Sequence, residues 1–112
     1  MRGIDISHYN GWPFNTNTKQ AYEESDFIIV KATQGQSYSK TEYFDKAIKK
    51  VLNDNKLGGA YHYLDGSGIK KEANYFVSIV EPYLGEITFA ADYEAGMNKA
   101  WGNGDYVKQF MD

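Results

Sequence analysis

The sequence predicts an α/β fold built from parallel β/α units, and three observations carry that prediction. Four short runs rich in β-branched and aromatic residues recur along the 112 residues at intervals of about thirty. Apolar residues at helical spacing fill the stretches between them. Glycine, asparagine and serine cluster near several of the joints. Strand alternating with helix at this interval is the pattern of βαβ units around a parallel sheet.

The first strand is expected over 3–7, where Ile4 and Ile6 point one way and Gly3, Asp5 and Ser7 the other. A short helix over 18–24 leads to a second strand over 26–32. The next helix sets Phe44, Ala47, Ile48, Val51 and Leu52 on one face, with Gly58 and Gly59 read as its stop signal. A third strand follows over 59–64. Ile69, Ala73, Phe76, Val80 and Tyr83 then mark a helix ending near Gly85, and a fourth strand spans 87–93. A last helix begins after Gly104. The length sets a prior of one domain. Four β/α units fit either a small open sheet or the first half of an eight-unit barrel, which needs roughly 250 residues.

Composition narrows the function. Fifteen acidic against twelve basic residues give a net charge of -3 with no basic cluster, which argues against a nucleic-acid partner. No apolar run approaches the ~18 residues of a membrane span. The absence of cysteine excludes a disulfide framework, a thiolate zinc site and a cysteine nucleophile. A strand beginning within three residues of Met1 leaves no room for a signal peptide in this chain. Ten Tyr, six Phe and two Trp exceed what a core of this size hides, and aromatic faces with polar tips suit sugars as well as packing.

The fourth strand carries the strongest chemical signal. Ile87, Phe89, Ala91 and Tyr93 form a bulky apolar face, while Thr88, Ala90, Asp92 and Glu94 form a face that ends doubly acidic. Two like charges this close raise at least one pKa, which keeps a carboxylic acid protonated for general-acid work. An Asp-x-Glu also begins many solvated loops, but the carboxyl end of a parallel strand is where α/β active sites gather. Asp5 would join Asp92 and Glu94 at the same rim. In the third strand Tyr61 and Tyr63 share the polar face, and His62 falls among apolar neighbours as a hydrogen-bonded packing residue. Lys31 either snorkels to the surface or neutralises the acids. Trp12 and Trp101, in loops after the first and fourth strands, either line a cleft at the rim or cover the barrel end. Neither histidine has a second ligand at metal spacing, so no metal site is expected. The glycine clusters at 66–68 and 102–104 complete neither a dinucleotide fingerprint nor a phosphate loop.

Four ordered motifs together resemble the family 25 glycoside hydrolases, lysozymes that cut peptidoglycan and are common among phage endolysins. They are Gly3-Ile4-Asp5-Ile6-Ser7-His8-Tyr9-Asn10-Gly11, Phe27-Ile28-Ile29-Val30-Lys31-Ala32-Thr33-Gln34-Gly35, Gly58-Gly59-Ala60-Tyr61-His62-Tyr63 and Ala91-Asp92-Tyr93-Glu94. The resemblance implies a β/α (TIM-like) barrel of which residues 1–112 hold about four of eight units, a single incomplete catalytic domain. It also implies hydrolysis of the β-1,4 bond between N-acetylmuramic acid and N-acetylglucosamine, without cofactor. Carried over, Glu94 is the general acid, Asp92 its partner at the acetamido group or reaction centre, and Asp5 a further active-site carboxylate. Tyr61, Tyr63, Lys31, Trp12 and Trp101 are the candidate substrate-binding residues. The implied partner is bacterial peptidoglycan, met at the cell wall after release as an endolysin or by secretion. Inversion through a water and assistance by the substrate acetamido group both fit. Gln34 stands where the family usually has Glu. A half barrel would expose two sheet edges, which predicts pairing with a second copy or completion by a C-terminal half, and keeps open a non-catalytic glycan-binding role.

Overall fold

The structure, a computed structural model, describes residues 1–11, 15–94 and 104–111. Strands β1 (Gly3–Ile6), β2 (Phe27–Gln34), β3 (Leu57–Tyr63) and β4 (Thr88–Asp92) alternate with helices α1 (Thr16–Glu24), α2 (Thr41–Asn53), α3 (Ile69–Val80) and α4 (Gly104–Met111). The sheet order is β1-β2-β3-β4 and every pairing is parallel, the arrangement predicted. Among the described residues β1 and β4 are its edges.

The helices lie against one face of the sheet. Ile6, Ile28, Val30 and Ala60 from the strands meet Tyr22 of α1, Phe44, Ala47, Ile48 and Val51 of α2, and Phe76 and Val80 of α3 in one buried core. The opposite face is set by alternation and register. Asp5, Ile29, Gly59 and Thr88 are aligned partners across the four strands, Lys31, Tyr61 and Ala90 form the next row, and Gln34, Tyr63 and Asp92 the last. This open face carries the polar chemistry.

Most boundaries differ from the sequence reading by a residue or two, and three differences have a physical cause. The helix α2 stops at Asp54 and Asn55, where Asn55 takes a left-handed φ of 57°, a conformation asparagine tolerates. Gly58 and Gly59, read as the stop signal, lie inside β3. A Cβ on Gly58 would stand 3.0 Å from Ile48 and 3.1 Å from Ile87, so the glycine lets α2 pack onto the sheet. The helix α3 ends at Val80 rather than near Gly85, because Pro82 lacks an N–H and the chain tightens into a 3-10 turn over Glu81–Tyr83. Finally, β2 runs to Gln34 through a bulge between Lys31 and Thr33. Among the described residues, no helix is long and apolar enough to cross a membrane.

Candidate active site

Asp5, Asp92 and Glu94 line a single pocket of about 330 Å³ at the carboxyl ends of the strands, together with Ile29, Tyr61, Ala90 and Ala91. Its floor is low because Ala90 and Gly59 hold the positions beside Ile29 and Tyr61. Asp92 closes β4 and is half-buried, while Asp5 and Glu94 are exposed. Burial raises the Asp92 pKa above the usual aspartate value, and the negative charges of Glu94 and, more weakly, Asp5 add to the rise. Lys31 opposes it. The Tyr61 hydroxyl is likewise held well above its ordinary pKa by burial, then by Asp5 and Asp92, so it stays a neutral donor beside the carboxylates.

Lys31 does not snorkel to the surface. It is 9% exposed, its Nζ donates to Gln34 Oε1 at 2.6 Å, and it sits 5.0 Å from the ring centroids of both Tyr38 and Tyr63. Burial lowers its pKa, and Asp92 and Glu94 counteract that. The two tyrosine faces thus hold a desolvated cation beside the acid pocket. Tyr38 extends this wall: its hydroxyl meets His8 Nδ1 at 3.0 Å and its carbonyl accepts from Tyr75 at 3.1 Å. Burial and the neighbouring Tyr9 and Tyr75 push the Tyr38 hydroxyl up to about 12. Trp12 and Trp101 lie outside the described residues.

His62 is the buried packing histidine that strand parity predicts. Its Nδ1 lies 2.6 Å from Thr33 Oγ1, and its Nε2 meets Glu72 Oε1 at 2.8 Å. The imidazole stacks on Phe110 of α4 with ring centroids 4.8 Å apart. Sequence reasoning missed Glu72, which is fully buried and also accepts from the backbone N–H groups of Asp65 and Gly66. The available signal was its place on the apolar face of α3, three residues after Ile69 and four before Phe76, opposite a histidine already assigned to the core. The bulge that makes Gln34 a neighbour of Lys31 was also missed, since strict alternation gives Gln34 to the helix side. No group of three His, Asp or Glu among the described residues is placed to hold a metal ion. A further apolar hollow of about 290 Å³ between α3, α4 and β4 is lined by Phe76, Val77, Phe89, Phe110 and Met111 among others, and no titratable side chain lines it among the described residues.

The model of the glycosyl hydrolases family 25 matches residues 4–112. The chain belongs to this family. Solved structures agree on the fold: the CTP1L endolysin is 26% identical over 96% of the chain with a TM-score of 0.72. The catalytic domain of endolysin ply40 from bacteriophage P40 of Listeria monocytogenes is 24% identical over the whole chain, at 0.74. A family 25 glycosyl hydrolase from Bacillus anthracis is 22% identical over 99% of the chain, at 0.75. The chain spans 38%, 57% and 51% of these three, so it holds about half of a family 25 fold. No curated protein matches it.

Proposed function

We propose that this family 25 chain contributes to peptidoglycan hydrolysis as a muramidase, cleaving the β-1,4 bond between N-acetylmuramic acid and N-acetylglucosamine. The observation that carries the reading is the convergence of Asp5, Asp92 and Glu94 in one pocket at the carboxyl ends of parallel strands. A glycosidic oxygen leaves poorly until it is protonated, and the oxocarbenium-like transition state needs negative charge beside it. Glu94, exposed at the pocket mouth, is the general acid. Asp92, half-buried with a raised pKa, acts on the acetamido group or the reaction centre, and Asp5 adds charge from the opposite side of Tyr61. The Tyr61 hydroxyl donates to the sugar, and Tyr63 and Lys31 form the wall beyond it. Trp12 and Trp101 remain candidates for stacking on the glycan. The substrate places the protein at the bacterial cell wall, reached by endolysin release or secretion.

The open face of the sheet carries no helix among the described residues, and β1 and β4 are unpaired edges there. A second copy or a complementing C-terminal half of the family fold would cover that face and supply the other wall of the cleft. The same openness favours a second reading, a non-catalytic half barrel that binds cell-wall glycan. Digestion of purified peptidoglycan followed by borohydride reduction separates the two. Muramitol among the products, absent with Glu94→Gln, is the expected result. New reducing ends on glucosamine would overturn the bond assignment, and binding without any new ends would favour the module.

A further inference from the structure

The bulge of β2 and the buried polar residues behind it belong together. Strict alternation from Lys31 would place Thr33 on the open face and Gln34 against the helices. Instead the register shifts, Thr33 pairs with His62 and is fully buried, and Gln34 pairs with Tyr63 on the open face. The extra residue is Ala32, also fully buried. A bulge of this kind re-aims side chains, and it persists where neighbours hold it. The neighbours here are polar and exact in geometry: Thr33 Oγ1 lies 2.6 Å from His62 Nδ1, and His62 Nε2 lies 2.8 Å from Glu72 Oε1. Glu72 in turn receives the Asp65 and Gly66 N–H groups at 3.1 and 3.2 Å, which ties the β3–α3 loop to α3. The donor order that satisfies every atom has Thr33 O–H donating to Nδ1 and the Nε2–H donating to the carboxylate.

We propose that Thr33, His62 and Glu72 form a buried positioning relay for the acid pocket, one that locks the β2 bulge and thereby turns Gln34 to the open face beside Lys31. The relay touches no substrate and acts through Lys31. With the bulge locked, Gln34 Oε1 anchors the ammonium at 2.6 Å, between the rings of Tyr38 and Tyr63. The groups that act on it are Asp92 at the end of β4 and Glu94 two residues beyond, the rings of Tyr63 and Tyr38, and His8 after β1, while Tyr61 is its aligned neighbour on β3 and in turn meets Asp5. Holding that cation in place moderates the repulsion that raises Asp92. The proposal rests on the muramidase reading only in calling the acid pocket the reaction centre.

The test is carboxyl-carbon NMR titration of Asp92, with nitrogen shifts of His62 and Lys31, in the wild type, Thr33→Val, Thr33→Ser and Lys31→Met. Lys31→Met is expected to raise the Asp92 midpoint by about half a pH unit or more. Thr33→Val should move it the same way and shift the Lys31 Nζ signal, while Thr33→Ser, which keeps the hydroxyl, should restore both. A folded Thr33→Val chain with Asp92 and Lys31 unmoved would overturn the relay. So would an unmoved midpoint in Lys31→Met. Should Thr33→Val not fold, the wild-type His62 spectrum decides: the relay requires the Nε2–H tautomer, and an Nδ1–H tautomer refutes it. None of these readouts uses glycan, so an inactive protein with the expected titrations would sink the muramidase reading and leave the relay standing.

Discussion

Replacing Glu94 by Gln should lower the Asp92 pKa, and the size of the fall follows from the spacing. The two residues are two positions apart, roughly 6.6 Å of backbone at the strand rise. Coulomb's law puts the repulsion of unit charges at that distance at about 0.6 kcal/mol in water and about 2.5 kcal/mol at an effective dielectric of 20. At 1.36 kcal/mol per pKa unit these are about 0.5 and about 1.8 units. Glu94 is exposed and Asp92 half-buried, so solvent screening favours the lower end. The expected change is a fall of about half a unit to one unit, read by carboxyl-carbon NMR from low to neutral pH. The part of the rise that comes from burial should stay. An Asp92 midpoint that does not move, or that rises, would refute the placement of Glu94 beside Asp92 and with it the two-acid site.

Asp92→Asn should stabilise the fold at neutral pH by about half a kcal/mol. A carboxyl whose folded pKa is raised favours the folded state below its ordinary value and loses that contribution as pH rises through the folded value, so the gain should vanish near pH 3 in paired thermal melts. Tyr22→Phe removes the hydroxyl that donates to Asp54 at 2.6 Å, the main cause of the lowered Asp54 pKa. That contribution is present above the ordinary aspartate pKa and lost as pH falls through the lowered one. Denaturant titrations should therefore show a loss of about 1 kcal/mol at pH 7 and less at pH 3. Phe44→Ala empties the centre of the α2 contact, where the ring is fully buried and meets Tyr83 edge-on, and should cost about 3–5 kcal/mol by the same titrations. Gly35→Ala forces a side chain at φ 57° into the Asp65 carboxylate and should lower the melting temperature by several degrees, as expected of a strain of about 1–3 kcal/mol.

Periodicity made the α/β order legible because each strand is short and each helix has a continuous apolar face. Parity then placed Asp5, Asp92, Tyr61 and Tyr63 on one face and His62 on the other, since a parallel pairing without irregularity preserves alternation. The same rule failed at β2. A bulge inserts one residue without leaving a mark in composition, and Thr33 is as suited to an open face as to a buried one once histidine satisfies its hydroxyl. Lys31 was ambiguous for a related reason: a lysine reads alike whether it snorkels or pairs, and only the tyrosine rings and Gln34 decide. Glu72 escaped because an acid on an apolar helix face looks like a boundary residue until its partners are known. The helix stop at Gly58 and Gly59 was misread because glycine serves close packing as well as termination.

Whether Asp5, Asp92 and Glu94 form a peptidoglycan-cleaving acid site is decided by reducing-sugar release from purified peptidoglycan, measured for the chain and its Glu94→Gln variant. Release by the parent chain and a fall of about a hundredfold or more in the variant are expected, in keeping with the loss of a general acid. Equal release by both, or no release from the folded parent chain, would rule that site out.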